Sequence, residues 1–169
     1  MNKELLNLKD QQLLNELKGY LEQIDVASTI LESSVEIPHN ILVAITAKQA
    51  SVNIMYVPIA EDQFEDIRLF QLYSLVINKI VIERKEDLLL LVNELNNRCA
   101  IGSFFINDLS EFGFKYIYPI SRVDMPSKSS FIDIFSLFLN SMMSFKELII
   151  ETNNGTLSIA DAIKKLSKE

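Results

Sequence analysis

KEDLLLLVNELNNRCAIGSFFINDLSEFGFKYIYPIS, residues 85–121, is the stretch whose reading decides the fold. Its first part follows a helical period. Glu86 and Asp87 fall in what would be the first helical turn, where acids complement the positive end of the helix dipole. Leu88, Leu91, Val92 and Leu95 then recur at steps of three and four, which puts them on one apolar face. Leu89 and Leu90 widen that face and predict contact on two sides. Asn96-Asn97 closes the pattern, because asparagine side chains compete for the helix's own backbone groups.

From Ala100 the period shortens. Ile101, Phe104, Phe105 and Ile106 give the β-branched and aromatic composition of a strand. Residues 107–111 (NDLSE) supply the polar side chains of a reversal. Residues 112–121 then alternate, with Phe112, Phe114, Tyr116, Tyr118 and Ile120 on one face and Lys115, Ile117, Pro119 and Ser121 on the other. An isolated hairpin is only marginally stable in water, so this aromatic face must be covered, and the preceding helix is the nearest cover.

Working outward, residues 2–24 place Leu5, Leu6, Leu13, Leu14, Leu17, Leu21 and Ile24 at helical spacing, with the helix ending near Gly19 or a turn beyond. Residues 25–40 read as a loose or edge strand followed by a turn at Pro38-His39-Asn40. Residues 41–47 and 52–59 read as strands, Pro58 suiting a strand end or edge. Residues 67–77 read as a longer, central strand, apolar on both faces toward its end.

Beyond the hairpin, Ser127 or Ser129 can cap a helix that is apolar nearly all round from Phe131 to Ile149, predicting burial on more than one side. Asn153-Asn154-Gly155 supplies a left-handed stop. Ser158 with Asp161 resembles a capping box that opens a short final helix over residues 159–166. Strands and helices are grouped rather than strictly alternating. The fold class is therefore α+β: an antiparallel sheet of about five to six strands covered by helices, in the order α-β-β-β-(β)-α-β-β-α-α, within one domain over residues 1–169.

That order, with Asn93-x-x-Asn96 near a helix end, then Gly102-Ser103-Phe104 and a long apolar helix, resembles the YbjN-like family. Members of that family are described as regulators of sensory transduction, and their fold is similar to that of type III secretion chaperones. The resemblance covers residues 70–150 and is weaker in the N-terminal third. It implies an acidic, cytoplasmic bacterial protein that binds other proteins, and it brings no catalytic residues with it.

Composition bounds the rest. The formal net charge is −7 and no basic run is interleaved with aromatics, which argues against a nucleic-acid surface. Cys99 is the single cysteine, so no internal disulfide forms, as suits a reducing compartment. The charged N-terminus does not read as a signal peptide. Residues 131–150 contain Asp133, Asn140, Lys146 and Glu147, and a charge near mid-membrane costs about 2.5–3.5 kcal/mol on the insertion scale, so no membrane span is expected.

Candidate chemistry is sparse. His39 is the only histidine, so with Cys99 it makes no zinc site of the usual N and S ligands. His39 reads as a surface turn residue and Cys99 as a packed one. Glu61, Asp62, Glu65 and Asp66 match no EF-hand spacing and read as a solvated turn. Asn93 and Asn96 read as ties for the following turn. No P-loop, Rossmann or Gly-x-Ser-x-Gly pattern occurs, and no cofactor or metal is expected. The expected function is non-catalytic: a chaperone-like or regulatory adaptor binding a partner polypeptide or itself as a homodimer. Phe135, Phe138, Met142, Met143 and Phe145 are its candidate surface, because methionine-rich surfaces repack around varied partners. The alternative is a small-molecule sensor with an apolar pocket of about 300 Å³ or more lined by Phe104, Tyr116, Tyr118 and Phe135.

Overall fold

The computed structural model describes residues 3–34, 40–47, 50–57, 66–121 and 123–167, with side chains from residue 11 onward. Among these residues the chain forms four helices and a six-stranded antiparallel sheet in the order β1-β2-β3-β4-β6-β5. The chain divides into two compact units. One comprises Met1–Tyr73 with Ile117–Phe135, the other Ser74–Tyr116 with Ser136–Glu169.

The first unit opens with α1, Lys3–Glu22, where Leu13, Leu14, Leu17 and Leu21 are fully buried. The helix runs one turn past Gly19 and is closed by Asp25 at φ 57° and by the Val26 amide donating to the Leu21 carbonyl. Three strands follow: β1 Ala27–Leu31, β2 Ile41–Ile45 and β3 Ser51–Val57. They pair antiparallel with Thr29 opposite Val43 and Val43 opposite Asn53. Thr46 tightens the turn between β2 and β3, its hydroxyl accepting from the Ala50 amide. The first part of β4, Ile67–Ile77, pairs with β3. Because strand side chains alternate, Leu42, Val52, Ile54, Phe70 and Leu72 share a buried face, and α1 lies against β1 and β2. The expected edge strand within residues 25–40 is therefore β1, the outermost strand of the sheet. Its turn at Pro38-His39 lies outside the described residues.

The second unit is built on the decisive stretch. A 3₁₀ turn, Ile82–Arg84, leads into α2, Lys85–Asn96, where Leu88, Leu91 and Leu95 are fully buried. Arg84 and Asp87 form an ion pair of 3.3 Å at the helix start. The expected second contact side of α2 is corrected: Leu89 is 48% and Leu90 58% exposed. At 100° per residue they point away from the Leu88-Leu91-Leu95 stripe, and nothing described covers them.

β5, Ser103–Ile106, pairs antiparallel with β6, Phe112–Ser121, with Phe104 opposite Phe114. The alternation on β6 holds: Phe112, Phe114, Tyr118 and Ile120 are buried and Ile117 is exposed. The last long helix is α3, Lys128–Asn154, with the Ser127 hydroxyl accepting from the Ser130 amide at its start. It ends at Gly155, φ 74°, as the Asn-Asn-Gly sequence requires. α4, Ile159–Leu166, begins with the Ser158 hydroxyl accepting from the Asp161 amide and donating to the Asp161 carboxylate.

α3 is buried along one stripe, not on several sides. Phe131, Phe135, Phe138, Met142 and Ile149 are enclosed, Leu137 is 42% exposed, and Ile132, Leu139 and Met143 are half-buried. Steps of four, three and four residues keep the enclosed residues on one face, and the remaining apolar residues flank it. Among the described residues, no helix is long and apolar enough to cross a membrane.

Candidate interaction surfaces

The five residues expected to form a partner surface do not do so together. Phe135, Phe138 and Met142 are 1%, 0% and 2% exposed. Phe138 stacks on Phe114 at 5.0 Å between ring centroids. Met143 and Phe145 remain half-buried, and Phe145 lies on the wall of a shallow depression of about 180 Å³ with Ser144, Leu148 and Lys165. Helical spacing groups these three on one stripe with Phe131 and Ile149, and Met143 and Phe145 fall beside it.

The rings proposed to line a pocket fill space instead. Phe104 lies 4.5 Å from Phe114, 5.9 Å from Phe112 and 6.0 Å from Phe145. Tyr118 lies 6.0 Å from Phe70, Phe135 is enclosed, and Tyr116 is half-buried.

The remaining candidates separate as well. His39, Glu61, Asp62 and Glu65 lie outside the described residues, and Asp66 is exposed and immediately precedes β4. Cys99 is half-buried behind α2, and burial pushes its thiol pKa up, away from the reactive thiolate. Among the described residues, no group of three or more His, Cys, Asp or Glu side chains is placed to hold a metal ion.

Asn96 does tie the turn that follows it. Its amide nitrogen donates to the Phe104 carbonyl at 3.1 Å, and its amide oxygen accepts from the Phe104 N–H at 2.7 Å. In an antiparallel ladder a residue turns its N–H and C=O to the same side, so Phe104 presents both away from β6. The Asn96 side chain thus stands where another strand's backbone would pair with β5. Asn96→Ala should cost about 1–3 kcal/mol, since two backbone groups lose their partners. The checks are chemical denaturation and amide exchange, which should accelerate at Phe104 before it does at Leu91.

Two surfaces in the first unit were not anticipated. The registers place Leu31, Ile41, Val43, Ile45, Met55, Val57 and Leu69 on the face of β1–β4 opposite the buried one. Ile45 is 52% exposed, Leu31 is 42% exposed, and the others are half-buried. The polar residues at the described positions of this face are Thr29, Ser51, Asn53, Gln71 and Tyr73, so no charge stands on it. The sequence did carry a sign of this, since residues 41–45 (ILVAI) are apolar at both strand parities.

The second surface is a groove of about 200 Å³ lined by Gln12, Leu13, Arg68, Ile120, Ser121, Val123, Asp124 and Met125. Arg68 is 6% exposed and occupies the inward parity of β4 with Phe70 and Leu72. Its guanidinium carbon lies 5.9 Å from the Tyr56 ring centroid. The Ser121 hydroxyl accepts from the Val123 and Asp124 amides and shapes one wall.

No protein-family model matches the chain, and no curated protein does either. Among solved structures, the chain is similar to the crystal structure of YbjN from E. coli, a proposed transcription regulator. The identity is 14% and the TM-score 0.47, over 85% of this chain and 93% of that one.

Proposed function

We propose that this protein is a non-catalytic interaction module, a regulatory adaptor that presents the open face of β1–β4 to another polypeptide. The observation that carries the reading is the uncharged apolar face formed by Leu31, Ile41, Val43, Ile45 and Met55. One side of an antiparallel sheet packs on the core and the other ordinarily alternates to polar residues toward water. Contiguous exposed apolar surface of this kind marks association sites.

The occupant it suits best is a second copy of the same chain. Two molecules each carrying a net charge of −7 repel overall, and a face free of charge lets them approach where repulsion is weakest. The same patch on both partners also satisfies a two-fold pairing. A cytoplasmic setting suits a chain whose single cysteine is half-buried with no internal partner.

Ile45→Lys tests this. The side chain is 52% exposed in the monomer, so the substitution leaves the core of the unit intact. The wild type should sediment as a dimer and the variant as a monomer, with unchanged far-ultraviolet circular dichroism. An uncompensated buried charge costs several kcal/mol, so the shift should be at least tenfold in dissociation constant. A wild type that stays monomeric at the highest concentration reached, or a variant that dimerises as tightly, would overturn the reading.

A further inference from the structure

We propose that the outer rim of β1 captures an extended segment of a partner polypeptide, a strand of alternating β-branched and hydroxyl residues flanked by lysine or arginine. Which backbone groups of β1 face outward follows from the strands beside it. The Thr46 N–H donates to the Ala50 carbonyl at 3.1 Å, closing the turn between β2 and β3. In an antiparallel ladder a residue turns its N–H and C=O to one side and its neighbours turn theirs to the other. Leu42 and Ala44 therefore bond β3, while Ile41, Val43 and Ile45 bond β1. Their partners are Leu31, Thr29 and Ala27, which leaves the N–H and C=O of Ser28 and Ile30 pointing away from the sheet. No described strand lies on that side. The Val26 N–H, next in the same row, is taken by the Leu21 carbonyl, so the open row runs from Ser28 to Ile30.

Exposed strand rims are ordinarily guarded by lysine, proline or a bulge. Residues 27–31 (ASTIL) contain neither residue, and their register against β2 runs unbroken. β5 differs, since Asn96 occupies the outward groups of Phe104. Ser28 adds a second signal: its hydroxyl is buried, with no hydrogen-bond partner among the described residues. A serine or threonine opposite it on an added strand supplies one. Charge chooses the occupant. Asp25 and Glu32 stand exposed at the two ends of β1. Two β1 strands paired about Thr29 would put Glu32 of each copy beside Asp25 of the other, so the rim disfavours a second copy and favours a segment with cationic ends. Main-chain hydrogen bonds supply the affinity of such an added strand, and side chains its selectivity. The rim is distinct from the open face of β1–β4, and its use does not depend on that face pairing two molecules.

The probe is the synthetic peptide KKTVTVTKK, titrated into the full chain and followed by amide NMR shifts. It should saturate, with the largest shifts at residues 26–32 and slowed hydrogen exchange at the Ser28 and Ile30 amides. EETVTVTEE should bind about tenfold more weakly, because several cross-strand charge pairs turn from attractive to repulsive. KKTVTVTKK N-methylated throughout its centre cannot donate to the rim and should not bind. Asp25→Asn combined with Glu32→Gln should weaken KKTVTVTKK and narrow its advantage over EETVTVTEE. Both positions are exposed, and asparagine keeps the left-handed conformation that Asp25 adopts at φ 57°. Ile45→Lys should leave peptide binding unchanged, which separates this rim from the open face. Equal binding of the two charged peptides would overturn the proposal, as would binding of the N-methylated form or no saturation in the folded wild type. Shifts at residues 26–32 that grow with protein concentration alone would assign the rim to a second copy, and the proposal would fall.

Discussion

Phe104→Ala is expected to remove about 3–5 kcal/mol of stability, the cost of deleting an enclosed phenylalanine from a core that relaxes only in part. Phe104 is 2% exposed and its ring lies within 4.5–6.0 Å of Phe112, Phe114 and Phe145. The void would therefore be walled by other rings, which cannot collapse into it without leaving their own rotamers. For a domain of this size the melting temperature should fall by roughly 6–20 °C. Urea unfolding should show a lower midpoint with an unchanged slope, the sign that stability and not compactness has changed. A loss below 1 kcal/mol would mean that this ring cluster is not the core of the second unit.

Gly102→Ala should be nearly as damaging for a different reason. Gly102 sits at φ 71°, and a β-carbon there would lie 2.7 Å from the Phe114 ring and 2.8 Å from the Lys115 carbonyl oxygen. The left-handed conformation costs an L-residue about 1–2 kcal/mol. Crowding against a strand backbone and an enclosed ring adds about 1–3 kcal/mol. Neither neighbour can yield cheaply, because Phe114 is fully buried and Lys115 is paired to Ser103. The expected result is a folded but destabilised protein whose near-ultraviolet aromatic signal weakens. A variant as stable as the wild type would show that the turn into β5 can take another course.

The contrast between these two residues shows what the sequence alone conveys. The strand at Phe104 and the reversal after it follow from composition and period, and so do the Ser158–Asp161 cap, the Gly155 stop and the alternation on β6. Each of these is decided by residues within a few positions of one another. What was not legible depends on partners distant in the chain. Leu89 and Leu90 look like core residues until the single side on which α2 is covered is known. Phe138 and Met143 have the same helical chemistry, yet only the first faces the ring stack. The apolar face of β1–β4 and the inward position of Arg68 emerge only when strand registers assign each parity a side.

The amide of Asn96 has a consequence for assembly. A sheet with two bare rims can recruit neighbours at both and lengthen without limit, the route by which fibrils grow. Here the β5 rim carries a side chain that satisfies the outward N–H and C=O of Phe104, whereas β1 is the other terminal strand. Joining another strand at Phe104 would first have to displace the Asn96 amide, which works against lengthening of the sheet at that position.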